Sequence, residues 1–145
     1  MKKVILLAGI AISSASCAQS KENKVVPKVV SEAFAKEYPN TKVEWDIEDD
    51  GFEAEFKLNG KDASADYDKN GNKLAIEIEV NESELPTSVL TYIKTNYPNQ
   101  KIKESAKITD SKNVVTYEAE IKIDGKKSDL IFDTNGKLIE ILKEE

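Results

Sequence analysis

The sequence predicts an α+β fold. The expected architecture is a tandem repeat of one helix plus a four-stranded antiparallel sheet, joined as one continuous eight-stranded sheet with two helices on one face. Three observations predict it. First, Pro27 to Val80 and Pro86 to Leu142 run through the same series of signals, and each opens with a helix-patterned segment that stops at Tyr-Pro-Asn (Tyr38-Pro39-Asn40 and Tyr97-Pro98-Asn99). Second, each copy continues into a period-two segment ending at a turn, FEAEFKLNGK from Phe52 and YEAEIKIDGK from Tyr117. Third, each closes on another turn, YDKNGNKL from Tyr67 and FDTNGKL from Phe132. A repeat of roughly 55–60 residues would bury only about 60% of its unfolded surface if alone. Residues 25–82 and 83–145 are therefore expected to form one integrated unit.

The elements follow in order. Residues 1–18 have the layout of a bacterial secretory signal: Lys2 and Lys3, an apolar run from Val4 to Ile12, then small residues to Ala18. That run is too short to span a bilayer as a helix. Cys17, the chain's single cysteine, follows Ser16 where a lipidated cysteine would stand, and cleavage after Ala18 is the competing expectation. Both readings export the protein, to the periplasm or cell envelope or as a secreted chain. With one cysteine there is no internal disulfide. Residues 19–24 form a polar tether.

Val26, Val29, Val30, Ala33, Phe34 and Tyr38 recur at helical spacing, and so do Val89, Leu90, Ile93 and Tyr97. Pro27 and Pro86 suit the first turns, where a missing N–H costs nothing. Pro39 and Pro98 push the tyrosines before them out of the helical region and end each helix.

Strand patterns follow. Val43, Trp45 and Ile47 alternate with acids, and Asp49-Asp50-Gly51 reads as a turn. Phe52 to Leu58, Ala63 to Tyr67 and Leu74 to Val80 complete the first copy. Asn59-Gly60 is a strong hairpin signal, because both residues tolerate positive φ. The second copy gives Ile102 to Ile108, Val114 to Ile123, Ser128 to Phe132 and Leu138 to Leu142, with turns at Asp124-Gly125 and Asn135-Gly136. The last strand lacks clean alternation, which fits either two covered faces or a frayed end. One sheet face should be apolar and pack on the helices, and the other should present carboxylates and lysines.

The net charge is −6, and all 21 basic residues are lysine. From Lys24 to Glu82 there are 8 Lys against 15 Asp and Glu, a net of −7; from Ser83 onward 10 face 11, a net of −1. This disfavours nucleic acid, which needs a basic face. The expected partner is an unidentified protein or peptide. A membrane would be met only through a lipid on Cys17, and the chain is expected to be a monomer.

The tandem helix-plus-hairpins unit, the leader and the segments YDKNGNKL and FDTNGKL resemble the bacterial PepSY-like family, also described as beta-lactamase-inhibitor-like. The resemblance covers essentially the whole chain after the leader. It implies a continuous eight-stranded sheet whose concave face grips a partner, and it makes binding or inhibition the class of activity. This sequence lacks the cysteine pair that each repeat of those inhibitors carries, so beta-lactamase inhibition is not carried over.

Three sets of residues are candidates for chemistry. Asp66, Asp68, Asn70, Gly71 and Glu77 fit the spacing of an EF-hand loop, which would wrap oxygens around calcium. Both flanks have strand period, however, so a hairpin turn is the expectation, with no metal and no cofactor, and calcium is kept as an alternative. The second set is a carboxylate stripe of Glu44, Asp46, Glu48, Glu53, Glu55, Glu77 and Glu79, read as a solvated face with a binding face as the sharper alternative. Nothing in the sequence marks two of these carboxylates for selective desolvation. The third is Trp45, whose parity places it in the core, while alignment on Tyr-Pro-Asn sets it opposite Glu104 and leaves a role as an aromatic anchor open. The chain has no histidine, which removes imidazole-based catalysis and zinc clusters. An exported, non-enzymatic binding module is the expectation, with an envelope-hydrolase inhibitor as the alternative.

Overall fold

A computed structural model describes residues 25–47 and 51–143. The expected signal segment with Cys17, and Glu48, Asp49 and Asp50, lie outside the described residues. The order is α1 (Lys28–Glu37), β1 (Val43–Ile47), β2 (Phe52–Leu58), β3 (Lys61–Tyr67), β4 (Lys73–Glu79), a 3-10 turn (Glu82–Glu84), α2 (Thr87–Asn96), β5 (Glu104–Asp110), β6 (Val115–Ile123), β7 (Lys126–Asp133) and β8 (Leu138–Lys143). The strands form one eight-stranded sheet in chain order, antiparallel throughout. The α+β class and the continuous sheet are as predicted.

Both helices are ten residues long and start and stop by the same means. Pro27 and Pro86 sit at the N-cap, and their carbonyls accept the first helical N–H groups, from Val30 and Ser31 in one copy and from Val89 and Leu90 in the other. Tyr38 and Tyr97 are the C-caps, each followed by its proline.

Each helix packs on its own half of the sheet. Val30 and Phe34 of α1 bury against Ala54, Phe56, Ala63, Ala65 and Tyr67. Val89 and Ile93 of α2 bury against Ala119, Ile121, Leu130 and Phe132. Alanines at the strand centres let the helices approach closely, and aromatic rings fill the space around them. Phe34 meets Phe56 edge-on at 5.0 Å and Trp45 at 5.7 Å.

Two glycines dock the turns onto the helices. Gly71, in the β3–β4 turn, would place a Cβ 2.8 Å from the Val29 carbonyl oxygen; Gly136, in the β7–β8 turn, would place one 2.2 Å from Ser88 Oγ. Both have φ near +80°. The two contacts join equivalent positions of the two copies.

The copies also share a bulge. Pairing shifts register between Asp66 and Tyr67 in β3 and between Ile131 and Phe132 in β7. A bulge re-aims the residues after it. In β8 this resolves the irregular alternation: Leu138 and Ile141 pack under α2, and Leu142 joins the cluster on the opposite face. The strand is therefore used on both faces.

Trp45 pairs with Ala54, and Ser105 pairs with Ala119, the equivalent alanine of the second copy. Ser105, not Glu104, thus holds the place of Trp45. The error comes from the connection after the second Tyr-Pro-Asn, which is one residue longer.

Candidate functional site: a carboxylate-lined cavity on the face away from the helices

Side chains alternate across a sheet, so the residues between those packed on the helices share the opposite face. The registers place Glu44 and Asp46 beside Glu55 and Glu53, and Glu53 beside Asp66. Glu77 pairs with Ser64 and, on its other side, with Ile108. Glu79 pairs with Ala106, which pairs in turn with Glu118. Of the stripe read from sequence, every described carboxylate is therefore on one face. Trp45 is not: it points under α1, with its ring centroid 6.1 Å from that of Tyr67.

The stripe is not a uniformly solvated surface, which corrects the sequence expectation. Glu44, Asp46 and Glu79 are exposed, Glu55 and Glu77 are half-buried, and Glu53 is 7% exposed. The second copy adds Glu118 and Glu120, 6% and 5% exposed. They are the repeat counterparts of Glu53 and Glu55, as the alignment of FEAEFKLNGK on YEAEIKIDGK allows, and the stripe read from sequence stopped short of them.

A cavity of roughly 260 Å³ opens at the middle of this face. Asp62 of β3, Glu77 and Glu79 of β4, Glu104, Ser105 and Ala106 of β5 and Glu118 of β6 line it. It therefore spans the junction where the two halves of the sheet meet. Ser105 stitches that junction, its Oγ donating to the Val80 carbonyl at 2.8 Å.

The carboxyls around the cavity differ in their surroundings. Burial pushes Glu77 up to about 8, reinforced by the charges of Glu53, Asp66 and Asp129. Burial likewise pushes Glu118 up to about 9, with Glu77, Asp129, Glu120 and Glu104 adding to it. Glu77 and Glu118 are thus both held above the ordinary carboxyl range, and of the two only Glu77 belongs to the stripe read from sequence. The cause is tertiary, because four of the acids acting on Glu118 come from three other strands and its own. Glu120 has a cation, Lys127 Nζ at 2.6 Å. Glu118 Oε2 is buried and finds no hydrogen-bond partner among the described residues.

Beside the acids lies a small apolar patch. Ala75, Ile108 and Ile131, each at most 7% exposed, cluster on this face with Leu142 packed against them. Ile131 is the β7 pairing partner of Glu118.

The EF-hand spacing falls on a hairpin. β3 and β4 flank it, and Asp66 and Glu77 lie within those strands. Asp68 closes the turn: its Oδ1 accepts the Asn70 and Asn72 backbone N–H groups at 2.8 and 2.9 Å, and its Oδ2 accepts Asn72 Nδ2 at 2.8 Å. Asp133 closes the β7–β8 turn in the same way, and Asp110 the β5–β6 turn. The aspartate-closed turn is thus used three times, with an asparagine two places on at Asp68 and Asp133 and a lysine at Asp110. Among the described residues no group of three or more potential ligands is placed to hold a metal ion. Among them, too, no helix is long and apolar enough to cross a membrane.

Two overlapping stretches, residues 18–72 and 50–140, match the sequence model of the family described as "Putative beta-lactamase-inhibitor-like, PepSY-like". The chain belongs to this PepSY-like family. No curated protein matches it. Solved structures with the PepSY-like layout are similar in fold. One is a BLIP-like protein of Bacteroides fragilis, 24% identical, with a TM-score of 0.65 over 83% of this chain and 87% of that one. Another is a DUF2874 family protein of Bacteroides uniformis, 20% identical, with a TM-score of 0.71 over 81% and 88%. A third, from Bacteroides eggerthii and described among "putative periplasmic proteins", is 14% identical with a TM-score of 0.73 over 83% and 90%. At these identities the likeness is one of fold.

Proposed function

We propose that this PepSY-like chain is an exported, non-enzymatic module of the bacterial cell envelope that binds a protein or peptide on the carboxylate-lined face of its sheet. One observation carries the reading. The helices occupy one face, while the opposite face concentrates acids from both copies around a cavity at their junction. A face built only for solubility keeps its charges in water. Here Glu53, Glu118 and Glu120 are drawn out of it. The secretory layout of residues 1–18 and a structural relative described as periplasmic support the location.

The test uses exposed positions, because Glu53 is too buried for charge reversal. The purified protein and a Glu44→Lys/Asp46→Lys variant, both positions exposed on β1, are each used to capture partners from envelope extract. Loss of a saturable partner by the variant, with the melting curve unchanged, is the expected result. Identical capture by both proteins removes the acidic face from consideration.

A second reading is that the bound partner is an envelope peptidase or hydrolase held inactive. The family's description as beta-lactamase-inhibitor-like favours it. Assay of any captured hydrolase with and without the protein decides it: unchanged turnover at saturation leaves a binder, and suppressed turnover makes an inhibitor.

A further inference from the structure

The cavity at the junction of the two halves has the chemistry of a receptor for one positively charged group. Its walls carry Asp62, Glu77, Glu79, Glu104 and Glu118. Asp62 already has Lys57 at 2.6 Å, and Glu120, next on β6, has Lys127. Glu118 differs from both. It is 6% exposed, lines the cavity, and its Oε2 has no hydrogen-bond partner among the described residues. A buried polar atom left without a hydrogen-bond partner costs free energy. A group from outside the fold that hydrogen-bonds to this carboxyl would remove that cost.

We propose that this cavity receives a lysine or arginine side chain from a basic peptide segment, with the Glu118 carboxyl as the principal acceptor and Glu77 as the second. The proposal rests on the acidic-face reading and names the chemistry of its partner. Charge complementarity selects a cation, since every titratable group lining the cavity is an acid. Size selects a side chain over a folded surface, since roughly 260 Å³ holds one long side chain and little more. Shape agrees. The apolar cluster of Ala75, Ile108 and Ile131 lies on the same face, with Ile131 directly across the β6–β7 pairing from Glu118. That patch suits the methylene stem behind a charged head. A bare metal ion fits less well, because no three acids converge on one point among the described residues.

The charge balance is explicit. Glu77 faces Glu53 of β2, Asp66 of β3 and Asp129 of β7; Glu118 faces Glu77 of β4, Glu104 of β5, Glu120 on its own strand and Asp129 of β7. Lys127, paired with Glu120, is the nearby cation on β7. In the empty site burial, reinforced by this crowding of acids, holds a proton on Glu118 near neutral pH. An arriving ammonium or guanidinium group supplies the compensating charge, so the carboxyl ionises and its proton passes to the buffer.

The probe is a synthetic tetralysine peptide, N-acetylated and C-amidated, titrated calorimetrically at pH 7 in about 0.15 M salt, where long-range attraction is screened. Two buffers of different ionisation enthalpy are used. Saturable binding with proton release is expected, and Glu118→Gln should weaken it at least tenfold and abolish the release. Glu77→Gln should weaken it less, and Glu32→Gln, exposed on α1 across the sheet, less than threefold. A tetraarginine arm tells the two cationic side chains apart, and a tetra-acetyllysine arm should not bind. Absence of wild-type binding overturns the proposal, as does binding within threefold for both Glu118→Gln and Glu77→Gln. Circular dichroism of each variant shows that the fold persists. If the cavity variants change nothing while Glu44→Lys/Asp46→Lys, outside the cavity, still loses its envelope partner, the acidic-face reading survives and the cavity inference fails. If the reverse holds, the cavity binds cations and the broader reading fails.

Discussion

Glu118 and Glu120 stand two residues apart on β6 and point to the same face, yet Glu120 accepts Lys127 at 2.6 Å while Glu118 Oε2 has no partner among the described residues. Both are nearly inaccessible to water. The same pair repeats in the first copy as Glu53 and Glu55, so duplication has set four carboxylates on the equivalent strands β2 and β6. The stability of the sheet depends on how each of these charges is compensated.

The first prediction concerns alkaline pH. The unfolded carboxyls titrate near 4.5, whereas Glu77 and Glu118 in the fold titrate near 8 and 9. Between those values the folded chain binds more protons than the unfolded one, so stability falls as pH rises. The limiting slope is about 1.4 kcal/mol per pH unit for each carboxyl. Glu118→Gln keeps the shape of the neutral acid and should be more stable than wild type at pH 9 and close to it at pH 5. Urea unfolding from pH 5 to 9.5 measures this, and a flat wild-type profile would contradict it.

At acid pH the sign reverses. The Asn81 backbone N–H, then Lys61, then the Asn81 side chain hold Glu84 down at about 2. Lys61 Nζ lies 3.0 Å from the Glu84 carboxylate, tying β3 to the turn that leads into α2. The stabilisation is fully present above 4.5 and lost as pH falls toward 2. Lys61→Ala should flatten that part of the acid-unfolding curve and leave the alkaline arm alone.

Gly71→Ala and Gly136→Ala should each cost about 3 kcal/mol, from left-handed backbone strain plus collision with Val29 or Ser88. Gly60 shares the positive φ but faces open space, so Gly60→Ala should cost only about 1 kcal/mol. Equal losses in chemical denaturation would show that the turns do not dock on the helices.

Trp45→Ala should destabilise by about 3 kcal/mol, because the indole packs on Phe34 and Tyr67. Binding on the acidic face should be unchanged in the folded variant, since the indole lies on the other side of the sheet. A weakened interaction with tetralysine at intact fold would restore Trp45 as a partner anchor.

What the sequence alone determined was the plan of the fold. Doubled Tyr-Pro-Asn stops, Asn59-Gly60, Asp124-Gly125 and the alternation of Phe52 to Leu58 are local signals, and local backbone sterics act the same in any context. Those signals also set the parity that sends Trp45 one way and Glu44 the other. Only the tertiary structure decided which acids matter. Glu118 and Glu77 are 41 positions apart in the chain and on non-adjacent strands, and only the continuous sheet brings them to one cavity. Desolvation and Coulomb repulsion depend on distance through space, which a linear pattern of Glu and Lys does not record. The Ser105-for-Trp45 exchange was hidden for a related reason, since one extra residue before β5 shifts the strand partners of everything that follows.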